Sequence, residues 1–298
     1  MKSINKKLVG FALATLMVGP VSYAQSADTL SKAKTAGFIV LGVKENTIPM
    51  TYRVGSGYTG MQTELCEKFV ASALPGVKVR YMSVTAQNRI PLLQNGTVDI
   101  VCDAATNTEA RGEQVAFSYT DYVSLVRYAV KKESGIRAVE DLKGKTVATS
   151  VGTTVVQNLR ALNSSKNLAM NLVLTKDHAE GFLLLQSGRA DAYVMDDNTL
   201  AGNIANMAKP ELYEIVGSPL STEPLALMVR KDDPEIKKAL NTYVAASMKS
   251  GDMEKLYNRW FMSPIPPRNT AINLPMSPAT RAAYEQPNDR PAESYVAK

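Results

Sequence analysis

The 298-residue chain predicts an α/β fold in two similar halves, and three observations lead there. Apolar runs of strand length alternate with helix-length amphipathic runs up to Val101. A second cycle of the same order, without sequence identity to the first, runs from Val123 to Met195. Polar runs follow the strand candidates, where open α/β sheets bind their ligands.

The elements follow in order. After a helix start near Ser31, Gly37-Phe38-Ile39-Val40-Leu41-Gly42-Val43 is a compact strand candidate. A loop rich in Pro, Tyr and Gly precedes a helix from Met61 to Leu74, with Leu65, Phe69 and Val70 on its apolar side. Val77 to Met82 is the next strand. A short helix from Ile90 ends at Asn95-Gly96, and Val98, Ile100 and Val101 read as a buried strand.

The second cycle has a strand from Val123 to Lys131, a turn over Val139 to Lys145, and a strand over Thr146-Val147-Ala148-Thr149. Gly152-Thr153-Thr154 opens a helix. Leu172-Val173-Leu174, Ala179 to Ser187, and Ala190 to Met195 continue as strand, helix and strand. Leu225 to Val229 is a late strand, and Pro234 to Phe261 a long amphipathic helix with a break expected near Gly251. The tail beyond Pro264-Ile265-Pro266-Pro267 is expected to drape over the surface with limited structure.

The first residues differ from the body. Lys2, Lys6 and Lys7 precede an apolar run from Leu8 to Val18, and Ser22-Tyr23-Ala24 fits a small-x-small cleavage site, so residues 1–24 read as a secretory signal peptide. No cysteine follows the run, and no later segment approaches a membrane span, so a free, soluble, exported protein is expected. Without the signal, 31 basic residues stand against 28 acidic ones. The basic residues are scattered, which does not suggest nucleic acid. In an oxidising compartment Cys66 and Cys102 are free to pair, but two small buried hydrophobes explain them equally well. They lack the spacing and neighbours of a metal site.

The stretch Gln87 to Asp99, followed by Thr106-Asn107-Thr108-Glu109-Ala110-Arg111, joins a packing pattern to ligand-type groups. Arg111 offers a planar fork suited to a carboxylate, so the pattern points to capture of a small anion. Other motifs carry less. Gly55-Ser56-Gly57-Tyr58-Thr59-Gly60 matches GxGxxG, but a long loop separates it from the preceding strand, so a hairpin or loop is expected. Gly144-Lys145-Thr146 lacks the upstream glycine of a phosphate loop, and no Gly-x-Ser-x-Gly elbow occurs. The single histidine leaves few conventional arrangements for hydrolysis.

Several strings in one order resemble the polar amino-acid receptors of bacterial ABC importers, in their glutamate/aspartate-binding branch. They are Gln87 to Thr97, Gly152-Thr153-Thr154, Lys176-Asp177-His178, Ser187-Gly188-Arg189-Ala190, Met195-Asp196-Asp197, Arg230 to Pro234 and Pro264-Ile265-Pro266-Pro267. The resemblance implies a periplasmic-binding-protein-like type II fold, two α/β lobes around a ligand cleft. Residues 25–124 and 221–298 would form lobe 1 with the C-terminal tail, and 125–220 lobe 2. It implies a periplasmic, monomeric receptor that binds a small amino acid and meets membrane permease subunits, with no metal or organic cofactor.

On the same resemblance Arg111 matches the position that holds the ligand's α-carboxylate and Asp196 the position that holds its ammonium. Thr154 and Thr106 would add donors near the carboxylate. Arg89, His178 and Lys44 match positions for an acidic side chain. There are departures: Lys44 stands where that branch commonly carries arginine, Ala86 and Ala104 where it carries serine, and Asp103 where it carries glycine. If Asp103 points inward, it opposes a ligand carboxylate or pairs with a neighbouring base.

Plainer readings stand beside these. Arg89 fits a surface helix, His178 a helix cap, and Asp196 and Asp197 a turn; of these two, Asp196 is assigned the ligand and Asp197 the turn. Tyr52 packs either over the ligand or in the core. The enzymatic alternative is a periplasmic dehydratase of the cyclohexadienyl type, which shares the fold; a receptor for another small carboxylate is a further one.

Overall fold

The computed structural model describes residues 28–295; the expected signal segment lies outside them. The first lobe begins with α1 (Thr29–Ala36), β1 (Phe38–Val43), and a small antiparallel sheet of β2 (Asn46–Thr47), β3 (Thr51–Val54) and β4 (Gly57–Thr59). The GxGxxG match is therefore the β3–β4 hairpin and its exit. Then come α2 (Met61–Ala73), β5 (Lys78–Ser83), α3 (Arg89–Gln94), β6 (Ile100–Thr106), α4 (Glu109–Gly112), β7 (Val115–Phe117) and the long β8 (Tyr122–Lys131).

The second lobe holds β9 (Thr146–Ser150), α5 (Val155–Ser165), β10 (Asn171–Thr175), α6 (His178–Gln186), β11 (Ala192–Asp196), α7 (Asp197–Ala205) and β12 (Tyr213–Val216). The chain returns through β13 (Thr222–Arg230) to α8 (Pro234–Lys249) and α9 (Asp252–Tyr257). It then forms the ribbon of β14 (Pro264–Ile265) with β15 (Thr270–Ala271), and ends in α10 (Pro278–Glu285).

One sheet links the lobes in the order β10-β9-β11-β8-β13-β6-β1-β5. β1 lies parallel to β5 and β6, and β9 parallel to β10 and β11, as the alternating pattern predicts. β8 and β13 pair antiparallel between the lobes, with Leu125 opposite Thr222 and Tyr122 opposite Leu225. Beyond that pairing β8 continues against β11, and β13 against β6. Two crossing strands thus carry the chain between the lobes.

The apolar cores separate at the same place. One cluster packs Leu41, Leu65, Phe69, Leu227 and Leu240 and a stack of Tyr122, Tyr257 and Phe261; another packs Val147, Leu159, Leu185, Tyr193 and Val194. On α2 the buried Met61, Leu65, Phe69 and Val70 recur at helical spacing. The break near Gly251 is present, since Gly251 stands at a φ of 79° between α8 and α9.

The structure closes one question that the sequence left open: Cys66 on α2 and Cys102 on β6 form a disulfide. It also corrects the expectation for the tail. Residues beyond Pro267 include α10, started by the Ser277 side chain accepting from Thr280 N–H and by Pro278 in the first turn. The helix buries Thr280 and Ala283, and the Tyr284 hydroxyl donates to the Asp121 carbonyl. Thr280, Ala283 and Tyr284, three and four positions apart, share one packed helical face that the loop-like composition around them hides.

Candidate ligand-binding cleft

Helix starts position three of the expected ligand residues. The Thr108 hydroxyl accepts from Arg111 N–H and so opens α4; Asp177 accepts from Glu180 N–H and opens α6, whose first residue is His178; Arg89 is the first residue of α3. The cap before α6 is thus Asp177 and not His178. Asp196 ends β11 at the entry to α7, and Lys44 directly follows β1.

Arg111 reaches between the lobes. Its Nη1 donates to the Thr106 carbonyl at 2.9 Å and its Nη2 to the Gly152 carbonyl at 3.3 Å. Burial lowers its pKa to about 10, with the nearby Arg89 charge as the next cause. Asp196 is buried and its Oδ1 accepts from Ser124 Oγ at 2.8 Å. Burial pushes its carboxyl up to about 7, and the Glu223 carboxylate adds to the rise. Asp197 accepts from Tyr122 OH, Ser124 Oγ and Asn198 N–H, which ties it to the start of α7.

Thr106 and Thr154 come together on a group the sequence did not single out. Both hydroxyls donate to Oε2 of Glu223, at 2.6 and 2.7 Å. Ser221 Oγ donates to the other oxygen at 2.9 Å. Glu223 is 2% exposed on β13, so residues of both lobes converge on one crossing-strand carboxylate. Its only sequence signal was an acidic residue just before the apolar run Leu225 to Val229.

The basic residues form a second group. Arg89 is 2% exposed, which removes the surface reading, and its Nη1 donates to both Asp103 oxygens at 2.8 and 3.0 Å. Lys44 Nζ lies 3.7 Å from Asp103 Oδ2. Burial lowers the Lys44 ammonium to about 8 against the pull of Asp103. His178 Nδ1 lies 2.8 Å from Tyr193 OH and 3.2 Å from Ser150 Oγ. Burial first, then the Lys44 and Arg89 charges, hold its pKa well below the usual range, so the ring is neutral. A Tyr193 hydroxyl that donates to Nδ1 leaves the ring proton on Nε2, and one that donates to Ser150 Oγ leaves it on Nδ1. A cavity of about 170 Å³ has Lys44, Ala86, Ser150 and His178 among its walls.

Tyr52 belongs to the core: its hydroxyl donates to the Pro266 carbonyl and its ring meets Trp260 edge-on. Among the described residues no group of three or more His, Cys, Asp or Glu side chains could hold a metal. No described helix is long and apolar enough to cross a membrane.

Comparison with known proteins gives consistent neighbours. Residues 39–263 match the bacterial extracellular solute-binding proteins, family 3. The chain is 40% identical to the L-glutamate/L-aspartate-binding protein of Pseudomonas aeruginosa over 289 residues, 94% of this chain and 95% of that protein. It is 39% identical to the glutamate/aspartate import solute-binding protein of Escherichia coli K12 over 271 residues, 89% of this chain and 90% of that one. The crystal structure of the ancestral amino acid-binding protein AncCDT-1, a precursor of cyclohexadienyl dehydratase, superposes with a TM-score of 0.70 at 30% identity. It covers 78% of this chain and 99% of that one.

Proposed function

Because this chain belongs to the bacterial extracellular solute-binding proteins of family 3, we propose that it is the periplasmic receptor of an ABC importer for a polar amino acid, glutamate or aspartate first. The observation that carries this reading is the 40% identity, over nearly the full length of both chains, to a protein that binds these two amino acids. The cleft chemistry supports it. Arg111 suits an α-carboxylate, Asp196 an ammonium, and Lys44, Arg89 and neutral His178 supply donors for an acidic side chain. The ligand bridges groups of both lobes, so it binds the closed form more tightly than the open one and shifts the population toward closure. The closed form is what membrane permease subunits would recognise.

The relatives compared above carry the names of solute-binding proteins, which supports a binding role over a catalytic one. Ser150 and His178 do touch, but through Nδ1, with Tyr193 as a shared partner. Among the described residues no carboxylate accepts from the other ring nitrogen to complete a triad. A thermal-shift panel of the twenty amino acids on the ligand-stripped mature chain tests the reading. Glutamate and aspartate should raise the melting temperature most. A response to none of the panel would send the search to other carboxylates and to a dehydratase assay.

A further inference from the structure

The basic group of the cleft carries a built-in counter-charge, and the backbone is shaped to place it. In the β13–β6 pairing, Ala226 faces Ala105 but Met228 faces Val101. Cys102, Asp103 and Ala104 therefore bulge opposite Leu227 alone, and Ala104 takes a φ of 60°. Such bulges re-aim side chains beside functional sites. The Cys66–Cys102 disulfide and the Gln62 Oε1 acceptor for Ala104 N–H both tie this bulge to α2. Asp103 is thereby fully buried on Arg89, with Lys44 next to it.

Lys44 and Arg89 carry two positive charges, Asp103 removes one, and His178 is neutral. Arg89 Nε is buried without a hydrogen-bond partner among the described residues, so a donor is left for a ligand. An incoming carboxylate finds one net positive charge and a carboxylate behind it. An amide oxygen uses the same donors and brings no charge to repel Asp103.

Resting on the proposed amino-acid reading, we infer that Asp103 sets side-chain specificity by partly neutralising Lys44 and Arg89, so that the cleft takes the amides glutamine and asparagine alongside the acids. Calorimetric titrations of the wild-type chain and of Asp103→Asn with L-glutamate and L-glutamine test this. Asn keeps the size of the side chain and an acceptor for Arg89. The expected result is a glutamine Kd within about tenfold of the glutamate Kd in the wild type, and a shift of at least about tenfold toward glutamate in Asp103→Asn. A wild-type preference for glutamate above about a hundredfold, or a shift in the variant below about threefold, overturns the role of Asp103. If Asp103→Asn fails to fold, the wild-type ratio alone decides by the same limits. Binding of neither ligand by the folded wild type overturns the amino-acid reading itself and this inference with it.

Discussion

The carbonyl of Ile48, in the first lobe, packs against Gly202 on α7 of the second so closely that a Cβ on Gly202 would collide with it. Asn203 Nδ2 donates to the Asn46 carbonyl at 3.3 Å beside this contact. At a second contact between the lobes a Cβ on Gly152 would stand 2.8 Å from the Ala86 and Gln87 backbone. Two glycines therefore mark where the lobes meet.

Gly202→Ala separates closure from folding. Gly202 is helical, and alanine suits a helix by roughly 1 kcal/mol better than glycine. The melting temperature of the ligand-free variant should stay level or rise, while glutamate affinity falls at least about tenfold because the lobes no longer meet. Unchanged affinity by calorimetry would show that this contact is not part of the ligand-holding state.

Arg111 and Arg89 should differ on mutation. Arg111 donates to two backbone carbonyls, so Arg111→Ala should fold normally and lose ligand affinity by roughly 2 kcal/mol or more, about thirtyfold. Arg89→Ala leaves Asp103 buried with only Lys44 nearby, and should cost stability by about 3–5 kcal/mol. Urea denaturation and titration on both variants check the contrast. Equal stability loss in both would contradict the two assignments.

The disulfide closes a segment of 36 residues between α2 and β6. Chain entropy assigns such a loop roughly 3–4 kcal/mol. Reduction, or the Cys66→Ala/Cys102→Ala double variant, should lower the melting temperature by about 10 °C. A change under about 2 °C in scanning calorimetry would mean that the bridge constrains little.

Asp121 should make the stability of the ligand-free chain fall as pH rises from about 4 to 8, against the opposite slope that neutral His178 contributes below about 6.5. Asp121 is fully buried, both of its oxygens accept from Gln62 Nε2 at 2.9 Å, and burial lifts its pKa from an ordinary 3.8 to about 8. The folded state therefore keeps a proton that the unfolded state releases. The slope this group contributes is negative between those two values, at most about 1.4 kcal/mol per pH unit. Asp196 acts in the same direction up to about 7. Asp121→Asn should flatten the decline measured by urea melts at pH 5, 6.5 and 8. An unchanged slope would assign the decline to other groups.

The regular elements were legible because their signals are local. The Met61 helix, the Phe38–Val43 strand and the break at Gly251 rest on periodicity, Gly positions and caps within a few residues. Arg111, Asp196, Arg89 and His178 were legible as a set only through motif order, since periodicity alone favours a surface reading for Arg89 and a cap for His178. What stayed hidden depends on distant pairing. The bulge at Asp103 comes from β6 meeting β13, more than a hundred residues away. Glu223 acquires its meaning only when Thr106 and Thr154 of different lobes converge on it. The tail helix is hidden in the sequence because its Pro- and Asn-rich flanks mask one buried face, and Tyr284 finds its partner at Asp121 only in the fold.

Calorimetric titration of the ligand-stripped mature chain with L-glutamate decides whether the cleft receives an acidic amino acid. Saturable one-to-one binding at micromolar Kd or tighter is expected, corresponding to roughly 8 kcal/mol or more. No heat of binding from a folded sample, with both glutamate and aspartate, would contradict it.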